Sequence, residues 1–238
     1  MRQIIGLPAI VLLLVCAVVP AGMAAEGFLP RKNAVAFKLG AQIYNQSDYT
    51  DFWSNNNGSL TGPVFEFDYD RRIFKFLFVD VSLGYAIADQ DATGIPIDTA
   101  SSSVNLNTLY LSPTLKALAP LNNSLFFYGG IGPDIAYASS EIEISIGGAK
   151  TRISDSAVGL GGHALVGLEW LFYKKPARDG YLDAPLGLIF EYKFAFIPIN
   201  DFDQDAIDAI NAGLGTNFSS NDFDAGGHYL FVGLKWHF

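Results

Sequence analysis

Nine charged residues sit singly between apolar neighbours, where a β-strand would turn them all to one side: Lys38, Glu66, Asp68, Asp80, Asp134, Glu169, Glu191, Lys193 and Lys235. Enclosed charges must pair or be hydrated. Two kinds of chemistry follow. The nine form either a packed polar plug or a narrow, gated route for a small solute.

Other spacings invite chemistry and fail on context. Hydrolysis needs a serine close to a histidine that an acid orients. Of the three histidines, His163, His228 and His237, only His228 has such residues nearby in sequence, at Ser219, Ser220, Asp222 and Asp224. No local pattern there matches a lipid-modifying hydrolase. Asp201-Phe202-Asp203-Gln204-Asp205 is spaced like the start of a calcium loop, but Ala206 and Ala212 replace the glycine and the glutamate that loop needs. Gly159-Leu160-Gly161-Gly162-His163-Ala164 matches a dinucleotide fingerprint in letters, yet it lies in a strand-like segment with no helix after it. The glycines relieve crowding or permit bending instead. No catalytic, metal or cofactor residue is assigned.

The elements that position the nine charges are read from period-two alternation. Val35, Phe37, Leu39, Ala41 and Ile43 alternate with Ala36, Lys38, Gly40, Gln42 and Tyr44. Phe65, Phe67 and Tyr69 alternate with Glu66 and Asp68, and Leu77 to Ile87 alternates with Phe78 to Ala86. Segment 107–116 turns Leu109, Leu111, Pro113 and Leu115 one way and Tyr110, Ser112 and Thr114 the other. The same alternation runs through Phe127–Tyr137, Val158–Phe172, Leu188–Phe196 and Leu230–Phe238, for eight candidate strands. Most approach the ~9–11 residues that cross a bilayer at a tilt.

Residues 1–25 read as a signal peptide: Arg2, an apolar run over 4–19, then small residues at Ala21, Gly22, Ala24 and Ala25. The only cysteine, Cys16, lies inside it behind Val15, not behind the small residue that lipid modification wants. Residues 26–238 then carry 14 basic and 24 acidic residues and no basic face for nucleic acid. Half of the chain is hydrophobic and 16% is charged, yet past the signal no apolar run reaches helix-spanning length. A membrane chain of that kind satisfies its backbone in a closed barrel.

The connections support this. Long polar stretches follow strands one, three, five and seven, at 45–62, 88–103, 138–156 and 198–225. Shorter links follow strands two, four and six, at 70–75, 117–124 and 173–185. Outer-membrane barrels pair short periplasmic turns with long external loops. The expected fold is an all-β, eight-stranded, antiparallel up-and-down transmembrane barrel, with both termini periplasmic and four long external loops. Phe74, Phe76, Trp170, Phe172, Tyr173, Trp236 and Phe238 are expected at the periplasmic rim, and Tyr44, Tyr137 and Phe196 near the outer one. Segments 141–146 and 150–154 around Gly147-Gly148 predict a hairpin that continues strands five and six above the membrane. Segment 205–212 predicts a short helix.

The chain resembles the small eight-stranded outer-membrane proteins of the OmpA-like and OmpW-like group. Leu111-Ser112-Pro113-Thr114-Leu115 followed by Phe127-Tyr128-Gly129-Gly130-Ile131-Gly132 carries the likeness, with the glycine-rich run from Gly159 to Trp170. The end Leu234-Lys235-Trp236-His237-Phe238 resembles the signal read by the barrel-assembly machinery, through Leu234, Trp236 and Phe238. OmpA-like proteins often carry a peptidoglycan-binding domain after the barrel; this chain is expected to lack it, because Phe238 ends the last strand. The resemblance implies a bacterial outer-membrane location, with membrane lipid and lipopolysaccharide as neighbours. Its acidic external loops could meet divalent cations bridging the lipopolysaccharide. The expected role is non-enzymatic: envelope integrity and surface contact. One alternative is OmpW-type passage of a small hydrophobic solute, and another is a lipid-modifying barrel enzyme.

Overall fold

The computed structural model describes residues 32–45, 60–92, 100–146, 149–176, 182–200, 202, 208 and 223–238. The segment read as a signal peptide lies outside them. So do Ser219, Ser220, Asp222 and the calcium-like aspartates, and so does the expected helix apart from Asp208.

Eight long strands close into a barrel. They are β1 (Asn33–Tyr44), β2 (Thr61–Phe74), β3 (Leu77–Ala92), β4 (Ala100–Pro120), β5 (Leu125–Ile146), β6 (Ala149–Pro176), β7 (Leu182–Phe196) and β10 (Gly227–His237). Two short strands, β8 (Pro198–Ile199) and β9 (Phe223–Asp224), pair apart from the wall. Every wall strand pairs antiparallel with its sequence neighbour among the eight, and β1 closes the ring against β10. At that closure Asn33 N–H donates to Phe238 C=O and Phe238 N–H donates to Asn33 C=O, at 3.2 and 2.9 Å.

Alternation sets the two faces as expected. Phe37 is 53% exposed while Lys38 beside it is fully buried. Leu83, Ile135, Leu160, Phe190 and Leu234 also face out. In water such a wall would be an adhesive apolar patch; in hydrocarbon it matches its solvent.

Several expected boundaries are corrected. Residues 70–74 of the stretch 70–75 and 117–120 of the stretch 117–124 are strand, because the ladder runs to Phe74 and to Pro120. That leaves only Lys75-Phe76 as a turn between β2 and β3. The turn after β4 is built by Asn122, whose side-chain oxygen accepts from Ser124 and Leu125 N–H at 2.8 and 2.9 Å. The stretches 88–103 and 138–156 likewise hold strand as well as connection. Tyr44 does lie at the end opposite the termini, the last residue of β1, but on the inner face that its phase gives it, where its hydroxyl meets Thr108 Oγ1 at 3.1 Å. Tyr137 and Phe196 do lie on the outer face, as do Phe74, Trp170, Phe172, Tyr173, Trp236 and Phe238 at the end carrying the termini.

The β5–β6 hairpin continues as expected, pairing out to Ile146↔Ala149. Its exposed face carries Glu143, which accepts from Lys150 Nζ at 2.5 Å and Arg152 Nε at 3.0 Å. These bonds hold the Glu143 carboxyl below the usual glutamate range. A depressed folded-state pKa contributes stability above the ordinary value and loses it as pH falls through the folded one. Amide exchange at Arg152, normalised to Tyr137, should therefore quicken between about pH 6 and about pH 3. An unchanged ratio would mean that the pair does not hold the tip.

Candidate functional site: the barrel interior

All nine charges expected inside are buried there. Asp70 and Lys116 join them, 2% and 5% exposed, and were missed. The signal was present: Asp70 continues the phase of Glu66 and Asp68, and Lys116 that of Ser112 and Thr114. The expected boundaries put Asp70 in the link after strand two and Lys116 at the end of strand four, and both strands run on.

Three polar layers fill the lumen. At the end carrying the termini, Lys235 Nζ lies 2.8 Å from Asp70 and 3.1 Å from Glu169. Glu169 also holds His237 Nε2. Lys116 reaches Asp80 at 3.0 Å and Asp70 at 3.6 Å. The cavity among these groups is about 10 Å³, room for a single water.

In the middle layer the Lys38 ammonium contacts Glu66, Asp68 at 2.8 Å and Glu191 at 2.7 Å. Register explains this. Lys38 stands opposite Glu66 on β2 and Gly233 on β10, and glycine at 233 leaves room for the lysine stem. Tyr128 Oη donates to the second Glu191 oxygen at 2.9 Å.

The third layer belongs to β4, β5, β6 and β7. Lys193 Nζ donates to Ser112 Oγ at 2.8 Å and lies 3.4 Å from Glu66 and 3.8 Å from Asp134. Ser112 donates to Asp134. His163 bridges the set, with Nδ1 2.9 Å from Asp134 and Nε2 2.8 Å from Thr114 Oγ1. A hydroxyl, an imidazole and a carboxylate thus stand in the order of a hydrolytic triad. Thr114 is only 3% exposed and sits inside the packed lumen. The arrangement satisfies buried polar groups.

His228 is elsewhere, on the outer face beside Tyr192, whose hydroxyl lies 2.6 Å from Nδ1. Asp224 does not orient it. That carboxylate accepts from Ile197 N–H at 2.7 Å, Gly226 N–H at 2.9 Å and Asn45 Nδ2 at 2.6 Å.

Toward the end opposite the termini the interior turns apolar. Tyr44, Leu106, Tyr110, Ile142, Tyr229 and Phe231 line it. After β7, residues 197–200 and 202, together with 223–226, fold into this mouth, placing Ile197, Ile199, Phe202 and Phe223 in the same cluster, with the two phenylalanine rings stacked at 5.0 Å. Asp224 and Asn45 fasten that segment to the rim. Among the described residues the mouth is both apolar and filled.

Comparison with solved structures finds several similar chains. With OprG from Pseudomonas aeruginosa it shares 10% identity over 90% of this chain and 99% of that one, at a TM-score of 0.48. With Ail of Yersinia pestis the values are 12%, 90%, 100% and 0.45. With Neisserial surface protein A they are 14%, 87%, 96% and 0.42. No curated protein matches the chain. The model of the outer membrane protein beta-barrel domain matches residues 9–218, and the chain therefore belongs to that family, a β-barrel of the bacterial outer membrane.

Proposed function

We propose that the chain is a non-enzymatic envelope protein, anchored by its barrel and making surface contacts through the end opposite its termini. The charge-packed lumen carries this reading. A chain built to conduct would keep a water-filled path, whereas here seven carboxylates, four lysines and two tyrosines, Tyr110 and Tyr128, interlock across the bore. Eight strands enclose a space that side chains can fill. Both termini face the periplasm in this reading, after removal of residues 1–25. Leu234, Trp236 and Phe238 present the closing strand to the assembly machinery, and lipopolysaccharide surrounds the outer rim. β3 to β6, the longest run of paired strands, project into the medium.

Two measurements test this. Planar bilayers holding the purified barrel should show no steady conductance of nanosiemens scale; such a channel would overturn the plug. An epitope placed between Ile146 and Ala149 should be labelled on intact cells; labelling only after lysis would reverse the orientation.

One observation favours a second reading. The mouth is lined and filled by apolar groups, with the polar layers as its floor. That suits OmpW-type passage of a small hydrophobic molecule, entering when the segment after β7 is displaced and leaving through the wall above the charges.

A further inference from the structure

Register sorts the outward side chains of β1, β10, β7 and β6 into rows that cross the strands. Leu39, Val232, Phe190 and Leu168 stand opposite one another in one row. Ala41, Leu230, Tyr192 and Val166 make the next, one outward position farther from the termini. Ile43, His228, Phe194 and Ala164 make the third. Between the first two rows lies an open groove of about 570 Å³. Its floor is the strand backbone at Gly40, Phe231, Glu191 and Gly167, residues of the opposite phase.

Tyr192 opens this groove. It stands opposite Leu230, yet its hydroxyl lies 2.6 Å from Nδ1 of His228, two residues farther along β10. The ring therefore inclines away from Phe190 and stacks on the imidazole, with 6.0 Å between centroids. Phe194 packs on the same imidazole at 5.1 Å. A polar ring in a wall that faces hydrocarbon is costly unless its depth brings it a partner. Ten positions separate His228 from Phe238. At ~3.4 Å per residue and a tilt of ~40° they rise roughly 26 Å, close to the height of the apolar band. His228 thus meets the headgroup layer, and the groove just beneath it meets acyl chains. With Nδ1 accepting from Tyr192, the ring proton sits on Nε2, a donor that has no partner among the described residues.

We propose that the groove seats one fatty acyl chain of a lipopolysaccharide molecule, whose phosphate accepts a hydrogen bond from His228 Nε2. The groove is continuous with the wall that faces the bilayer, and a trough with a polar group at its head distinguishes this place from the rest of that wall. The choice of lipopolysaccharide rests on the orientation proposed above, which sets the end opposite the termini in the outer leaflet.

The test is native mass spectrometry of the barrel released from outer membranes in a mild detergent. The wild type should keep one lipopolysaccharide molecule. V166W, which fills the groove from the lipid side, should keep about tenfold less, the contribution of two buried methylenes. H228L should lose about as much, the contribution of one charge-assisted hydrogen bond. Dephosphorylated lipopolysaccharide, added back, should bind H228L and the wild type equally. L83W, on the wall away from the groove, should retain as the wild type does, and heat-modifiable gel migration shows that each variant folds. Full retention by V166W would overturn the groove. Full retention of the phosphorylated lipid by H228L would overturn the headgroup contact. A phospholipid kept in place of lipopolysaccharide, and lost in V166W, would overturn the orientation while leaving an acyl-chain groove. A dimer mass that V166W abolishes would replace the lipid by a second copy of the chain.

Discussion

Replacing Lys38 by methionine should lower the unfolding free energy by about 3–5 kcal/mol, because it strands buried carboxylates without their cation. Lys38 is fully buried and touches Glu66, Asp68 and Glu191 at once. Methionine keeps most of the stem, so packing against Phe231 largely survives while the charge goes. Lys193 lies 3.4 Å from Glu66, and Lys116 3.8 Å from Asp68 and 4.0 Å from Glu191; each is farther off than Lys38 and holds closer partners of its own, Ser112 and Asp80, so they replace it only in part. Urea titration of the barrel folded into vesicles measures the loss. The double variant K38M/E191Q should recover part of it, since one stranded charge is removed with the lysine. A loss below about 1 kcal/mol would mean that water already screens the cluster, as at an exposed pair. The plug would then be a wet lumen, and the conductance expectation would fall with it.

The parts legible in sequence were those set by period two. Lys38 between Phe37 and Leu39, or Glu191 between Phe190 and Tyr192, declares its face without any partner being known. Closure, which brings the first and last strands together, leads one to expect both Lys38 and Lys235 beside Glu66, Asp68 and Glu191; Lys38 is there, whereas Lys235 pairs with Asp70 and Glu169. Strand ends were harder. Asp70 is followed by Arg71 and Arg72, which read as turn, and Lys116 by Ala117, which marks no face. In both cases cross-strand pairing decides, and pairing is not local. The filled mouth was least legible. Ile197 and Phe223 are 26 positions apart, with no repeat linking them, and meet because Asp224 ties both backbones at the rim. The Thr114–His163–Asp134 set joins three strands, so spacing along the chain carried no sign of it.

Arginine at position 83 should cost about 2–4 kcal/mol, and arginine at position 79 about 0–1 kcal/mol, although both replace an outward apolar residue of one strand. Leu83 is 50% exposed near the middle of β3, with Phe67 and Leu111 on either side, both also facing out. Val79 is 38% exposed and lies two outward positions nearer the β2–β3 turn. Exposure alone would rank them nearly alike, and in water each change would be close to neutral or favourable. Hydrocarbon makes the difference, because a guanidinium at mid-depth must be dragged from water while one near the interface can snorkel to it. Neither side chain touches the inner charges, whose phase is opposite, so the plug is held constant. Leu83→Arg and Val79→Arg, compared by vesicle unfolding titrations, read out depth directly. Equal costs would mean that the outer wall does not face a bilayer at the level the strands imply. A larger cost at 79 would move the hydrocarbon centre toward the end carrying the termini, and with it the rim that Trp170, Trp236 and Phe238 should mark.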